Sequence, residues 1–314
     1  MALYSIVIPV YNSEKSLEIL YSRIVNVFDN ELKQPFEMIL VDDCSKDNSY
    51  KIIKQLSAKD PRIKGIQLAV NHGQQKAVLC GFRHAKGDFI ITMDDDLQHP
   101  PEQIHILIDA MNESDDWDVI IGAYDSKQHN FLRRFGSSLM NLSHNIIYKK
   151  PKDLHMTSFR LIRRYVIDNL NRINISQPTV GVLLLQSTKR IKNVKVHHDK
   201  RAYGKSGYDF KKLVKLFLRN VITNSDLPLL AVMYFGIFSL IASICLGLFF
   251  LIRYFIVGIS ITGWTSTILL LLLFGGATLF SIGLIGRYLI NIMLEAKKYP
   301  AYYIRQTDGD LKDE

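Results

Sequence analysis

The sequence predicts an α/β domain with a mostly parallel sheet, followed by an amphipathic interface helix and two membrane-spanning helices. Three observations support this prediction. Short apolar runs alternate with helical patterns through about residue 111, polar residues directly follow three of those runs, and two long stretches after residue 228 contain no charged side chain. Alternating strand and helix segments are typical of a parallel sheet that is covered by helices on both faces.

The strands are predicted from short runs rich in apolar and β-branched residues. They cover residues 4–10, 36–41, 63–68, 88–93 and 118–122. The helices are predicted where apolar residues recur on one face, and either Ser13 or Ser16 can cap the first of them. After that first helix, the predicted helices cover about 48–57, 74–84, 102–111 and 133–147.

Polar clusters lie where three of these strands end. The clusters are Asn12 with Ser13, Asp42 with Asp43, and the acidic run 94–96. In open parallel sheets, ligands bind beyond the carboxyl ends of the strands. The sequence therefore predicts a ligand site at this edge of the sheet.

The acidic run has the composition of a cation site. Asp94 and Asp96 can point to one side of an extended segment, whereas Asp95 points to the other side. Hard cations select oxygen ligands, so Asp94, Asp96 and the amide of Gln98 are candidate ligands of Mg²⁺ or Mn²⁺. An isolated acidic triplet is more often a solvated turn, but its position directly after a buried strand favours a metal clamp. In enzymes that cleave a bond to a diphosphate group, such a cation stabilises the negative charge that develops on the departing diphosphate.

Two apolar stretches predict a membrane anchor. Residues 229–252 and 254–286 contain no Asp, Glu, Lys or Arg, and roughly 20 apolar residues suffice to cross the hydrocarbon core. The alternative is a buried hairpin in a soluble protein, but core helices rarely run this long without a charge. Residues 208–223 have apolar side chains on one side and lysines on another, which is typical of a helix on the membrane interface, although an ordinary surface helix is the alternative.

Basic residues flank the apolar stretches and indicate the orientation. The flanks contain Lys211, Lys212, Lys215, Arg219, Arg287, Lys297 and Lys298, whereas the connecting loop has only Arg253. The positive-inside rule predicts that both termini are cytoplasmic in a protein of the inner membrane. The net charge of +9 is concentrated before the membrane, and no nucleic-acid motif is present, so we expect a lipid surface and no nucleic acid as partner.

Several motifs of the sequence resemble those of one enzyme family in their order and spacing. They are SIVIPVYN (5–12), ILVDDCS (39–45), NHGQ (71–74), MDDDLQHPP (93–101) and, further on, VHHDKR (196–201) with GKS (204–206). The chain resembles family 2 glycosyltransferases, and within them the polyprenyl-phosphate glycosyltransferases. The resemblance covers nearly the whole chain, and it implies a Rossmann-like, GT-A-type domain with a mixed sheet.

The resemblance also implies functions for individual residues. Contacts with the donor are implied for Pro9, Tyr11, Asp42, Gly73, Gln74, Asp94, Asp95, Arg201 and Ser206. Metal binding is implied for Asp94, Asp96 and Gln98, and the candidate catalytic residues are Asp96, Arg133, Ser137 and Asp153. Arg133 and Ser137 match a pair that faces the acceptor phosphate, while Arg201 and Ser206 match a loop that closes over the donor.

The chain departs from the family pattern at two positions. Ser13 stands where a Glu is common, so that Glu14 is a candidate substitute. Ser158 stands where many members carry an Asp, which leaves Asp153 as the candidate for a carboxylate base. A base is not required by the chemistry, because a phosphate monoester with a second pKa near ~6 is largely a dianion at neutral pH.

The predicted function is an inverting, metal-dependent transfer of a sugar from a UDP-sugar to undecaprenyl phosphate, for a cell-envelope glycan or for lipopolysaccharide modification. Glucose is the default expectation for the sugar, and N-acetylglucosamine and an amino sugar are the alternatives. The predicted domains are a cytoplasmic catalytic domain (1–207), juxtamembrane helices (208–227), two spans (228–291) and a cytoplasmic tail (292–314). The alternatives are a processive polysaccharide synthase and an inert donor-binding scaffold. Oligomerisation is left open.

Overall fold

The structure is a computed structural model that describes residues 1–124, 154–173, 179–197, 199, 263–296 and 300–311, with scattered positions between 229 and 256. The chain forms two compact units. The first comprises Met1–Phe135, His144–Tyr208 and Lys298–Glu314, and the second comprises Gly136–Ser143 and Asp209–Lys297.

An eight-stranded mixed sheet organises the first unit. Its strands are β1 (Tyr4–Val10), β2 (Phe36–Asp42), β3 (Ile63–Leu68), β4 (Phe89–Thr92), β5 (Val119–Ala123), β6 (Arg160–Arg163), β7 (Ile191–Lys195) and β8 (Ile304–Asp308), in the spatial order β7-β5-β6-β4-β1-β2-β3-β8. The four central strands, β4, β1, β2 and β3, are parallel. β6 runs antiparallel to β4 and β5, and β8 runs antiparallel to β3. The α/β class and the mixed sheet are therefore confirmed.

Helices follow the strands along the chain. Those within the described residues are α1 (Leu17–Asn26), α2 (Ser49–Lys59), α3 (Gln74–His84), α4 (Ile104–Asn112), α5 (Arg164–Asn171), α6 (Val180–Ser187) and α7 (Trp264–Ala296), with a π-helical turn at Val27–Leu32 and a 3-10 turn at Pro101–Gln103. The helices predicted at 133–147 and 208–223 lie outside the described residues.

The central strands are buried on both faces because helices cover each side of the sheet. Every residue of β1 and β2 is buried. Successive side chains point to opposite faces, so Ile6 and Ile8 join one apolar core while Val7 joins the other. On the second face α3 lies very close to the sheet at Gly81, where a Cβ atom would stand 2.3 Å from Val7 Cγ1.

A buried ion pair ties the amino ends of the central strands together. Glu37 on β2 pairs with Lys64 on β3, and both residues are buried. Glu37 also accepts hydrogen bonds from Ser5 Oγ at 2.6 Å and from the Lys86 amide at 2.5 Å. This cluster lies at the opposite end of the strands from the polar clusters, so it supports the sheet and leaves the other edge to the candidate site.

The C-terminal segment completes the sheet, although the sequence predicts only a tail for residues 292–314. β8 pairs with β3, and the Tyr50 hydroxyl on α2 donates a hydrogen bond to Asp308. Tyr302 and Ala301, just before β8, are buried.

The two stretches predicted to cross the membrane, 229–252 and 254–286, lie partly outside the described residues. Exposed apolar side chains occur along α7, among them Leu271, Leu279 and Phe280. In the described part of the chain, no helix is both long enough and apolar enough to span a membrane.

Candidate active site

The carboxyl ends of β1, β2 and β4 meet at one edge of the sheet, and the backbone turns sharply there. Asn12 and Cys44 lie just beyond β1 and β2, and Leu97 follows the acidic run after β4; their φ values are 54°, 59° and 61°. Non-glycine residues rarely adopt this left-handed conformation, and it is concentrated at functional sites. The turns bring the polar clusters predicted from the sequence to the same edge.

Asp94 is held from two sides by neutral donors. The amide Nε2 of Gln74 donates to Oδ1 at 2.6 Å, and the hydroxyl of Ser158 donates to Oδ2 at 2.6 Å. Ser158 is fixed in turn, because its carbonyl accepts a hydrogen bond from Thr92 Oγ1 at 2.6 Å. The orientation of the Asp94 carboxylate is therefore set by α3 and by the residues before β6.

Asp95 points the other way, toward the turn after β1. Its Oδ2 accepts hydrogen bonds from Ser13 Oγ at 2.5 Å and from the Tyr11 amide at 3.1 Å. Burial raises the pKa of Asp95 to about 6, although both hydrogen bonds act in the opposite direction. Asp95 thus joins the acidic run to the Tyr11 turn, on the side opposite to Asp94, as the alternation of the run predicts.

Asp96 and Gln98 follow on a tight turn. Asp96 Oδ1 accepts a hydrogen bond from the backbone N–H of Gln98 at 3.1 Å. Gln98 contacts the chain beyond β7: its carbonyl accepts from the Asp199 amide at 2.9 Å, and its Nε2 donates to the Asp199 carbonyl at 3.4 Å. The turn that carries the predicted metal ligands is therefore connected to the segment that leads to residues 200–206.

The side chains predicted to bind a metal offer only oxygen atoms, from the carboxylates of Asp94 and Asp96 and the amide of Gln98. This donor set suits Mg²⁺ or Mn²⁺ rather than a softer cation. Within the described ranges, no group of three or more His, Cys, Asp or Glu side chains is arranged to hold a metal ion. The fit therefore rests on two carboxylates and one amide.

Two acidic residues at the end of β2 shape the neighbouring turns. Asp42 is fully buried, and accepts hydrogen bonds from the Ser45 amide and from Gln67 Nε2, both at 3.3 Å. Asp43 accepts from the amides of His72 and Gly73 at 2.7 and 2.8 Å. Burial raises the pKa of both carboxyl groups.

Asp43 therefore fixes the start of α3, where Gly73 has a φ of 87° and precedes Gln74. The sequence resemblance implies a donor contact for Asp42, which the structure buries in the turn, and none for Asp43. The sequence signal for Asp43 was its position next to Asp42 at the end of a strand. That position does not reveal its hydrogen-bond partners, because the amides of His72 and Gly73 belong to a loop that is distant in sequence.

Arg160 is a further charged residue that sequence reasoning missed. It is paired with Thr92 across β4 and β6, and only 8% of it is exposed. Burial lowers its pKa to about 10, and the nearby charge of Asp94 opposes that shift. Its Nε makes no hydrogen bond within the described residues. A buried guanidinium thus contributes positive charge next to the first carboxylate of the acidic run.

The remaining predicted residues divide into two groups. Pro9 is buried in β1, while Tyr11 is 46% exposed at the same edge as the acidic run. The residues expected to face the acceptor or to close over the donor lie outside the described residues; they are Arg133, Ser137, Asp153, Arg201 and Ser206.

Comparisons with known proteins show which family the sequence matches and which solved structures share its fold. The family model described as Glycosyl transferase family 2 matches residues 5–170. A Shewanella sediminis protein named undecaprenyl-phosphate 4-deoxy-4-formamido-L-arabinose transferase is 34% identical over 96% of this chain and 91% of its own length. A Bacillus subtilis protein, named uncharacterized glycosyltransferase YkcC, is 32% identical over 98% of this chain and 94% of its own.

Among solved structures, the fold is similar to that of glucosyl-3-phosphoglycerate synthase from Mycobacterium tuberculosis, in complex with Mn²⁺, UDP-glucose and phosphoglyceric acid. The TM-score is 0.52 at 15% identity, over 72% of this chain and 79% of that one. At this identity the likeness concerns the fold alone.

Proposed function

The chain belongs to glycosyltransferase family 2, in the polyprenyl-phosphate glycosyltransferase branch, and from this premise we propose that it transfers a sugar from a UDP-sugar to undecaprenyl phosphate. The observation that carries the proposal is the sheet edge where Asp94, Asp96 and Gln98 share one turn while Gln74 and Ser158 fix Asp94. The similarity to undecaprenyl-phosphate transferases over nearly the full chain supports the lipid acceptor.

On the donor side, Asp94, Asp96 and Gln98 are proposed to hold Mg²⁺ or Mn²⁺. When bound, such a cation neutralises charge on the diphosphate of the leaving nucleotide. Pro9, Tyr11 and Asp42 are proposed to bind the base and ribose. Gly73 and Gln74 are proposed to form the turn where the backbone approaches the donor. The mycobacterial synthase of similar fold, which binds Mn²⁺ and UDP-glucose, supports this type of donor.

On the acceptor side, an oxygen of the lipid phosphate forms a bond to the anomeric carbon, and the bond from that carbon to the diphosphate oxygen breaks. UDP leaves with the electron pair, and the configuration at the anomeric carbon is inverted. The phosphate is largely a dianion at neutral pH, so the proposal assigns Arg133 and Ser137 to holding it in line. Asp153 is the candidate for any base.

The position of Ser158 supports a mechanism without a carboxylate base at that site. Its hydroxyl donates to Asp94, so the side chain orients that carboxyl group. A second carboxylate there would repel Asp94. Catalysis then depends on alignment of the dianion and on stabilisation of the departing diphosphate.

We propose that the protein is attached to the cytoplasmic membrane through residues 228–291, with the juxtamembrane segment 208–227 on the lipid surface. The catalytic domain (1–207) and the C-terminal residues (292–314) are then cytoplasmic. The uncharged stretches of the sequence, the basic residues around them and the exposed apolar side chains of α7 support this arrangement. It brings the catalytic domain to the lipid headgroup.

The test is a transfer assay with radiolabelled nucleotide sugars and undecaprenyl phosphate. The donors are UDP-glucose, UDP-N-acetylglucosamine and UDP-4-deoxy-4-formamido-L-arabinose. GDP-mannose is included to test whether the site prefers uridine to guanosine. We expect a chloroform-soluble monosaccharide product that is lost with EDTA and with Asp96→Asn. Asp115→Asn, at a fully exposed carboxylate, is the matched control and retains activity. A polymeric product, or full activity of Asp96→Asn, contradicts the proposal.

A further inference from the structure

The C-terminal segment contacts a loop of the candidate site that is distant in sequence. The amide of Ala69 donates to the Tyr303 carbonyl at 2.8 Å, and the Tyr303 amide donates to Nε2 of His72 at 3.2 Å. The rings of His72 and Tyr303 lie 5.9 Å apart. The pairing between β3 and β8 therefore continues beyond β3, with the His72 side chain accepting the hydrogen bond.

The loop 69–73 is connected in turn to the acidic run. Its amides at His72 and Gly73 donate to Asp43, and Gln74, the next residue, donates to Asp94. Because Gly73 has a φ of 87°, the direction in which α3 begins depends on the position of this loop. A displacement at His72 is transmitted to Gln74 over two residues.

His72 is suited to this contact as a neutral acceptor. An imidazole nitrogen that accepts a hydrogen bond from an amide must be unprotonated, so its proton resides on Nδ1. Burial lowers the pKa of His72, and the charge of Lys76 lowers it further. The neutral form is thereby favoured.

We infer that the segment 301–303, together with His72, is a positioning element of the donor site, which holds the loop 69–73 so that Gln74 reaches Asp94. This inference rests on the proposed function, because it assumes that a nucleotide donor binds beside Asp94. Tyr303 and His72 act through Gln74 and Asp43, and are assigned no chemical step. The segment follows α7 in sequence, where the sequence predicts only a tail, and it contacts the loop 69–73.

The test measures UDP binding to the full-length protein in detergent with MnCl₂, by isothermal titration calorimetry, alongside the thermal midpoint. His72→Ala removes the acceptor, whereas His72→Gln places an amide oxygen near the position of Nε2. UDP binding that requires the ordered loop has to supply the energy of the lost hydrogen bond, about 1 kcal/mol, which sets an upper bound of roughly fivefold on the weakening of binding. We expect a loss near this bound for His72→Ala, and recovery to within about twofold of the wild type for His72→Gln.

Two further variants separate positioning from general stability. Tyr303→Pro removes the amide donor and should weaken UDP binding, whereas Tyr303→Ala keeps it and should bind UDP within about twofold of the wild type. Tyr50→Phe removes the hydrogen bond to Asp308, at the other end of β8. It should lower the thermal midpoint and leave UDP binding unchanged.

The outcomes are distinguishable. Wild-type UDP affinity in both His72→Ala and Tyr303→Pro overturns this inference and leaves the proposed function intact. Equal losses of affinity in Tyr50→Phe and His72→Ala also overturn it, because β8 would then act only through stability. A wild-type protein that binds neither UDP nor GDP with Mn²⁺ overturns the proposed function, and this inference with it.

Discussion

Replacing Ser158 with alanine tests how the site orients its first carboxylate. The Ser158 hydroxyl donates to Asp94 Oδ2 at 2.6 Å, and Gln74 donates to the other oxygen at 2.6 Å. The substitution leaves the Gln74 contact in place. Asp94 then keeps one of these two side-chain donors and can rotate about its remaining contact.

The size of the effect follows from the charge on the acceptor. A hydrogen bond to a charged group contributes about 1.5–3 kcal/mol, and Asp94 is only half-buried, so water can partly replace the hydroxyl. The lower end, about 1.5 kcal/mol, corresponds to roughly a tenfold fall in kcat/KM. Ser158→Thr keeps a hydroxyl and should stay within about threefold. Ser158→Asp places a second negative charge beside Asp94 and should lose more than alanine does.

The assay is the steady-state transfer rate with varied nucleotide sugar and saturating undecaprenyl phosphate. The three variants are compared with the wild type at equal amounts of folded protein, verified by thermal midpoint. Activity of Ser158→Ala within about twofold of the wild type would refute the reasoning, since the hydroxyl would then contribute nothing to the orientation of Asp94. So would a Ser158→Thr variant as impaired as Ser158→Ala.

Two further predictions concern buried ionisable groups. Burial raises the pKa of Glu37, but hydrogen bonds from Lys64, Ser5 and the Lys86 amide outweigh it, so the net pKa is lowered. The stability that Glu37 contributes is therefore present at pH values above its unfolded pKa of 4.5, and it is lost as the pH falls through the lower folded pKa. In that pH window, Glu37→Gln should reduce the dependence of the thermal midpoint on pH. A pH dependence equal to that of the wild type would contradict this. Burial also raises the pKa of Cys80 to about 12. Iodoacetamide at pH 8 should therefore modify Cys80 only after denaturation, which mass spectrometry can measure. Rapid modification of Cys80 in the folded protein would refute its burial as a protonated thiol.

The central part of the fold could be predicted because its signals are local. β1, β2 and β3 carry apolar runs bounded by polar turns, and the structure places them within about one residue of the expected limits. β6 and β7 were not predicted, because they are short and contain several charged or polar residues. Their pairing depends on neighbours that are distant in sequence. The same holds for β8, a polar edge strand whose only described partner is β3.

The candidate site was predicted to a similar extent. The opposite directions of Asp94 and Asp95 follow from the alternation of an extended segment, and the structure shows them. The contacts that fix them were not predicted, since Ser158 and Ser13 come from other elements and meet the acidic run only through the sheet. Arg160 could not be recognised because nothing local distinguishes a buried arginine from an exposed one.

The last strand of the sheet also constrains how the protein is made. During translation, β1 to β7 emerge before the apolar residues 228–291, and β8 is synthesised only afterwards. The edge of β3 therefore stays unpaired on the ribosome, and an unpaired edge is a template for incorrect association. Pairing across so large a sequence separation is intrinsically slow. Completion of the sheet thus has to wait until the apolar segment has been synthesised, which makes the nascent chain most vulnerable to aggregation in that interval.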